Sequence, residues 1–462
     1  MSTKTLTMKT KLLFLITFLQ FLVVKAQLPN PVLVGYWHNW HQTDMPLIKL
    51  ADVDDRYNVI CLSFAAATGG DINTLAFNIQ SWGSSAGYNT AALKKDIEDA
   101  RKKGKVVLMS VGGANGSFRL TTEAQKNTFV SKMKTIIQNT GVDGIDIDLE
   151  QKDYLCPGTS DTKRAITNPW PHMQYLIDGT KELMTWYQTQ YGRKMILTTA
   201  PEVTYTSGGI SPWNKCNGVF LQFLEAMRND LDLVMVQLYN SGSVYSRKYT
   251  TSSNTTEYAV GTVDFVITQT EAMIEGFKFT NNHAGLSGTF SGIPQEKIAV
   301  ALPANSCAAG SGYLNITNTK NAVNYLKGNG TKPGNYTLEK TYPKIRGLMT
   351  WSINQDNRSS GCSASKGQFA KIYQDLFPTI NTNVITLNHI KIYPNPTHAN
   401  FKIELQDLET SEPNFIQIFN INGQLIYQNS TAEEVIEIET NSWQSGLYLV
   451  SINGTSTKII KE

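Results

Sequence analysis

Eight short apolar runs recur between residue 28 and about residue 376, each ending in small or polar residues and each followed by a longer, helix-like stretch. The runs are VLVGYW (32–37), NVICLSFA (58–65), KVVLMSVGG (105–113), VDGIDIDLE (142–150), KMILTTAPE (194–202), LDLVMVQLYN (231–240), KIAVALPA (297–304) and RGLMTWSIN (346–354). The segments between them, such as residues 90–104 and 125–141, are amphipathic at helical spacing. Apolar strands alternating with helices argue for a parallel sheet covered on its outer face. Eight such units predict an α/β fold of the (β/α)8 TIM-barrel class over residues 28–376, with some connections carrying long loops. A doubly wound open sheet is the alternative. It uses fewer strands and a Gly-rich phosphate loop, and no such loop follows the first run.

In a barrel of this kind the chemistry collects where strands end. The polar residues that interrupt these runs do fall there: Asp148 and Glu150, Tyr239 and Asn240, Trp351 and Asn354. The fourth run is the most unusual. Side chains alternate along a strand, so Asp146, Asp148 and Glu150 share one face, with neighbours about 6–7 Å apart. Ile145, Ile147 and Leu149 take the other face, toward the helices. Three inward carboxylates cannot all ionise cheaply, because desolvation and like charge both favour the neutral form. They should titrate as a set that keeps one carboxyl protonated as a general acid. A solvent-facing strand edge is one competing reading, and the apolar outer residues oppose it. A calcium loop is another, but Ile and Leu stand where such loops carry polar or Gly spacers.

DGIDIDLE (143–150) resembles the D-G-x-D-x-D-x-E signature of family 18 glycoside hydrolases, the chitinases and their relatives. The match is complete at Asp143, Gly144, Asp146, Asp148 and Glu150. MSVGG (109–113) resembles the family's S-x-G-G on strand three, MVQLYN (235–240) its Q-x-Y-N form on strand six, and GLMTWSIN (347–354) its eighth strand. The resemblance spans roughly residues 30–376 in strand order. It implies a chitinase that cleaves β-1,4 links between N-acetylglucosamine units with retention, using the substrate's acetamido oxygen as nucleophile. It implies Glu150 as general acid/base, Asp148 as partner of the acetamide N–H, Asp146 as holder or sharer of the Asp148 proton, and Tyr239 as donor to the acetamide oxygen. Trp351 would floor the sugar site, with Gln237, Asn240, Tyr36, Gly113 and Met235 as further substrate-binding candidates. No metal or cofactor is implied. Two rivals remain: an endo-β-N-acetylglucosaminidase acting on N-glycan cores, and a non-catalytic chitin-binding lectin, which retention of Glu150 disfavours.

Several of these residues have a plainer reading. Gly112 and Gly113 could serve only a tight turn, Met235 could be packing, and Tyr36 could be core. Trp37, Trp40, Trp82, Tyr154, Tyr205 and Trp213 are groove surfaces or hydrophobic filler. Glu202, ending the fifth run, could reach the cleft. Some family members insert an α+β domain between strands seven and eight. Residues 304–346 are too few for it, which predicts a shallower, open groove and endo-type cleavage. Cys156 and Cys216 follow strands four and five, and Cys307 and Cys362 follow strands seven and eight. Neighbouring loops predict bridges Cys156–Cys216 and Cys307–Cys362, leaving Cys61 as a core thiol.

Residues 1–26 read as a signal peptide: Lys4, Lys9 and Lys11 precede an apolar run over residues 12–24. A membrane anchor is the alternative, for which the run is short. Removing this leader takes four Lys and no acid, and moves the net charge from +3 to −1, so nothing electrostatic favours nucleic acid. Export suits disulfides. Residues 377–388 read as a polar linker, and residues 389–462 alternate in period two with turns at Asn422-Gly423 and Asn453-Gly454, which predicts a small antiparallel β-sandwich with Trp443 as its only Trp. YPNPT (393–397), IFNINGQLI (418–426) and the terminal STKIIKE resemble the C-terminal sorting domain of type IX bacterial secretion. That implies the type IX secretion machinery as a partner, an extracellular destination, no membrane anchor in the mature form, and loss of the tail. An adhesion or spacer sandwich is the alternative.

Overall fold

The computed structural model describes residues 28–378 and 390–462, apart from residues 41, 43, 44, 46, 80–86, 359, 360, 406–412 and 454. The expected leader, nearly all of the expected linker, and Trp82 lie outside the described residues. The chain divides into two compact units between Phe377 and Pro378.

All eight apolar runs of the first unit form strands: β1 (Val32–His38), β2 (Val59–Ala65), β3 (Val106–Gly112), β4 (Gly144–Asp148), β5 (Ile196–Thr199), β6 (Leu233–Val234), β7 (Ala299–Pro303) and β8 (Gly347–Trp351). They pair in parallel in the order β7-β8-β1-β2-β3-β4-β5-β6. Parallel bridges Val234↔Ile298 and Gln237↔Ala301 join the β6 run to β7 and close the barrel. Helices α1 (Thr90–Lys102), α2 (Glu123–Thr140), α3 (Pro171–Tyr191), α4 (Leu221–Met227), α5 (Val263–Glu275), α6 (Ile316–Lys327) and α7 (Gln368–Leu376) follow strands β2 to β8. The first connection departs from the expected unit: its described residues carry only a 3-10 turn, Leu50–Asp52.

The helices start where short polar side chains satisfy open N–H groups. Asn89, Thr122, Thr262 and Asn315 accept from Ala92, Gln125, Phe265 and Asn318. Two apolar layers result. Outward strand residues such as Ile145, Ile147 and Trp37 pack against the helices. Inward ones, among them Val34, Tyr36, Cys61, Leu108, Met235 and Met349, fill the barrel. Cys61 is buried and unpaired.

Where the β4 run begins, Asp143 is fully buried and accepts from Arg101 Nε (2.7 Å), Arg193 Nη2 (3.0 Å) and the Val107 amide (3.0 Å). This clamp ties the acidic strand to α1, to β3 and to the residues after α3.

In the second unit, β9 (Ile390–Tyr393), β10 (Asn400–Leu405) and β13 (Val435–Glu439) form one antiparallel sheet. Strands β12 (Leu425–Thr431), β11 (Asn414–Asn420), β14 (Gly446–Ile452) and β15 (Thr455–Lys461) form the other, in that order. Phe401, Ile403 and Ile438 of the first sheet share a core with Ile416, Ile418 and Val450 of the second, as a sandwich requires. Trp443 packs against Phe401 and Tyr448 in that core rather than forming a surface platform.

Substituting Asp143→Ala removes the acceptor from two guanidinium groups, one of them largely buried. The expected loss of stability is about 2–3 kcal/mol, below the range for a fully buried pair because Arg101 is partly exposed. Urea unfolding followed by circular dichroism measures it.

Candidate active site

The β3–β4 register places Ser110 beside Asp146 and Gly112 beside Asp148. Asp146 lies deepest. Its Oδ2 accepts from the Tyr36 hydroxyl (2.7 Å) and the Ser110 hydroxyl (2.7 Å), and its Oδ1 from Thr198 (2.7 Å). Burial pushes its carboxyl up, and these three donors pull against that. Both oxygens are occupied by hydroxyls, and no hydrogen bond joins Asp146 to Asp148. Asp148 is buried as well, and desolvation followed by the neighbouring charges of Glu150 and Asp146 raises it well above the carboxylate range. Glu150, at the strand end, is half-buried, and burial brings it to about 7.

Gln237 ties the two outer acids together. Its Nε2 donates toward Asp148 Oδ1 (2.9 Å), Glu150 Oε1 (3.1 Å) and the Ala200 carbonyl (2.9 Å). Two hydrogens face three acceptors, so at least one contact is shared. Tyr239, two residues on, is buried, and burial first and the carboxylates second hold its hydroxyl protonated, as a donor. Gly312 permits the β7 loop to close over it: φ is +93° there, and a Cβ would lie 2.5 Å from the Tyr239 backbone.

Above these groups a cavity of about 640 Å³ opens, lined by Asp148, Glu150, Gln237, Tyr239, Asn240 and Trp351, and by Trp40, Phe64, Gly112 and residues of the β2 and β3 loops. Trp351 stacks against Phe64 (centroids 5.9 Å apart) and leans on His38 (4.7 Å) and Tyr36 (5.7 Å). Among the described residues, the cavity lining includes no Lys, Arg or His. Asn240 reaches this wall, but its side-chain oxygen accepts from the Gly310 (2.8 Å) and Ser311 (3.3 Å) amides, which holds the β7 loop in place.

Three sequence-derived binding candidates lie behind the wall rather than on it. Tyr36 is buried under Trp351 with its hydroxyl on Asp146. Gly113 donates its amide to the Asp148 carbonyl (2.7 Å) and abuts Phe64, while Gly112 is the glycine that reaches the cavity. Met235 shares the face of Gln237 but sits a layer deeper, in the barrel core. Alternation fixes which face a residue takes and says nothing of its height along the barrel. Of the aromatic candidates, Trp40 lines the cavity and stacks on His38, whereas Trp37 faces the helices and donates to the Ile48 carbonyl. Tyr205 is buried, Tyr154 packs against Gly70, and Trp213 is exposed. The wall formed by Asn39, Thr68, Thr74, Asn78 and Asn115 had no sequence signal beyond following a strand end.

The structure joins Cys156 to Cys216 and Cys307 to Cys362, with Cα atoms 4.8 and 5.3 Å apart. The β4 loop is thereby tied to the β5 loop, and the β7 loop to the β8 loop. Between β7 and β8 the connection holds one helix, α6. Among the described residues no cluster suited to a metal ion occurs.

Residues 32–356 match the family model for glycosyl hydrolases family 18. The chain belongs to that family. Residues 391–462 match the secretion system C-terminal sorting domain, which marks the chain for secretion. It is 32% identical over 425 residues to Chitinase ChiA of Flavobacterium johnsoniae, covering 89% of this chain and 26% of that protein. With Chitinase D of Niallia circulans the identity is 37% over 331 residues, covering 70% and 58%. The chain thus spans about a quarter of the first relative and under three fifths of the second. A crystal structure of a family 18 chitinase from Chromobacterium violaceum superposes with a TM-score of 0.63 at 29% identity, covering 76% of this chain and 85% of that one.

At Gly112 a side chain meets two obstacles: φ is +110°, and a Cβ would lie 2.4 Å from the Asp148 carbonyl oxygen. Gly112→Ala is expected to cost about 1–3 kcal/mol through backbone strain and to push the β4 end out of line. Thermal unfolding, with the rate of any hydrolysis measured beside it, checks both effects.

Proposed function

We propose that this chain is a chitin hydrolase of the retaining, substrate-assisted kind. The observation that carries this reading is the graded set Asp146, Asp148, Glu150 on one inward face, with its outermost member raised to about 7 at the mouth of a cavity floored by Trp351. An N-acetylglucosamine ring over Trp351 brings its acetamido group toward Asp148 and Tyr239. Asp148 accepts from the acetamide N–H, and the Tyr239 hydroxyl donates to the acetamide oxygen. That oxygen attacks C1 while Glu150 gives its proton to the departing glycosidic oxygen. Glu150, now a carboxylate, takes a proton from water as the water opens the oxazolinium at C1. The acid is regenerated and the anomer is retained. Asp146, saturated by three hydroxyls, acts as a fixed negative neighbour that helps keep Asp148 protonated. Trp40 and the Asn and Thr side chains of the wall, with no cationic side chain among the described lining residues, suit neutral sugars.

The short β7–β8 connection supports an open groove and internal cleavage. A time course on the chitin hexamer, read by mass spectrometry, should show dimer, trimer and tetramer together from the start. Dimer released almost alone would overturn the endo reading. An intact hexamer beside released N-glycan would move the assignment to glycoprotein substrates.

Glu150→Gln should lower kcat by about 10²–10⁴-fold with little change in KM, measured on a chromogenic dimer. The acid must carry its proton, so kcat/KM should fall as pH rises through the Glu150 midpoint of the free enzyme, about 7. The tail supports export by the type IX machinery, which reads residues 391–462 and releases a shortened chain. Intact-mass measurement of the secreted protein should find those residues gone.

A further inference from the structure

Glu150 sits on a strand end that is held from both sides. Its own amide donates to the Ser117 hydroxyl (2.8 Å), and that hydroxyl donates to the Gly113 carbonyl (3.0 Å). The next amide, that of Gln151, donates to Glu202 Oε2 (3.2 Å). Gln151 needs such a partner: its φ is +72°, a region a non-glycine residue enters only when its surroundings hold it there. The chain must turn sharply after the acid, and Glu202 receives the amide that the turn exposes. Glu202 is itself placed by β5. It follows Pro201, whose carbonyl accepts from the Gln237 amide (3.0 Å), and it bridges to Gln237 in parallel. One backbone ladder therefore positions both Gln237, which touches the acid, and Glu202, which holds the peptide behind it.

We infer that Glu202 is a positioning residue for Glu150: it anchors the peptide that follows the acid and sets a further negative charge against the acid's carboxyl. The inference rests on the role of Glu150 proposed above, and Glu202 lies outside the residues lining the cavity. The ionisable groups facing Glu150 are Asp148 from β4, Glu202 and Tyr205 from the β5 connection, and Tyr239 from β6. The two tyrosines are held protonated by burial, so among the described residues the charge facing Glu150 is carboxylate only. Burial raises Glu202 as well, and the Gln151 amide opposes that by favouring the ionised form. An ionised Glu202 opposes ionisation of Glu150 and keeps the acid loaded at higher pH.

The test separates charge from anchorage. Glu202→Gln keeps an acceptor for the Gln151 amide and removes the charge. Glu202→Asp keeps the charge and withdraws it from the amide. Ser117→Ala removes the opposite anchor and no charge. The Glu150 carboxyl is titrated in the full chain by carbon-13 NMR, with Glu150→Gln assigning its signal, and pH profiles for hexamer hydrolysis are recorded in parallel. Glu202→Gln should move the Glu150 midpoint acidward by about 0.5–1 unit, and the alkaline limb of kcat/KM with it. Glu202→Asp and Ser117→Ala should leave the midpoint in place and lower kcat several-fold at unchanged KM. A folded Glu202→Gln with an unmoved midpoint overturns the electrostatic part. A Glu202→Asp with wild-type kcat overturns the anchoring part, and decides the matter if the Gln variant does not fold. Were the wild type inert toward the hexamer, the functional reading would fall, while the NMR midpoint would still report on Glu202.

Discussion

Everything around the fourth strand answers one electrostatic difficulty: three carboxyl groups point into the same barrel. Burial disfavours ionisation of each, and ionisation of one disfavours the next. Cationic partners would relieve the strain, yet none lines the cavity among the described residues. The compensation is of two other kinds. Deep in the barrel, hydroxyls of Tyr36, Ser110 and Thr198 solvate Asp146 from strands β1, β3 and β5. Nearer the mouth, protons on Asp148 and Glu150 do what cations would have done, and the Gln237 amide shares its hydrogens between them. The strand becomes a gradient from a hydroxyl-solvated base to a loaded acid.

At its other end the same strand uses the opposite solution. Asp143 is as buried as Asp146, but two guanidinium groups meet it. There the carboxylate serves attachment, and cations are welcome. Four acids in eight residues thus divide by height: ion-paired at the barrel floor, hydroxyl-solvated in the middle, proton-carrying at the top. The two disulfides lie beyond the top, tying adjacent loops around the groove. With their cysteines 60 and 55 positions apart in sequence, each restricts the unfolded chain by about 4 kcal/mol in the loop-closure treatment.

The strands were legible because eight apolar runs of similar length admit few other architectures, and every run became a strand. The acidic face was legible because alternation is strict: Asp146, Asp148 and Glu150 do point inward together. Height was not legible. Met235 obeys the same alternation as Gln237 and lies in the core, and Tyr36 spends its hydroxyl on Asp146 instead of the groove. Nor were the loop walls: Asn39, Thr68 and Asn78 carry no periodic signal, and their place in the cavity follows from tertiary packing such as the Asn39 side chain donating to the Asn78 carbonyl. The 3-10 turn that stands in place of a helix among the described residues of the first connection has the same origin, since period and length separate a helix from a turn poorly in a short connection.

The gradient also limits which chemistry this site can favour. A glycosidase that uses its own carboxylate as nucleophile needs that group ionised while its partner two positions along stays protonated. Here the group beside the acid is Asp148, the one pushed well above the carboxylate range. Burial and the neighbouring charges of Glu150 and Asp146 oppose its ionisation, so it makes a poor nucleophile and a good hydrogen-bonding partner. A substrate that brings its own neutral nucleophile avoids that cost, since no carboxylate has to be stripped of its proton before attack. In the mechanism proposed above, the positive charge developing on the acetamido group would fall beside Asp148 and above Asp146, whose carboxylate supplies a negative field. The arrangement that makes three buried acids awkward in the resting protein is thus the one that stabilises a cation formed among them.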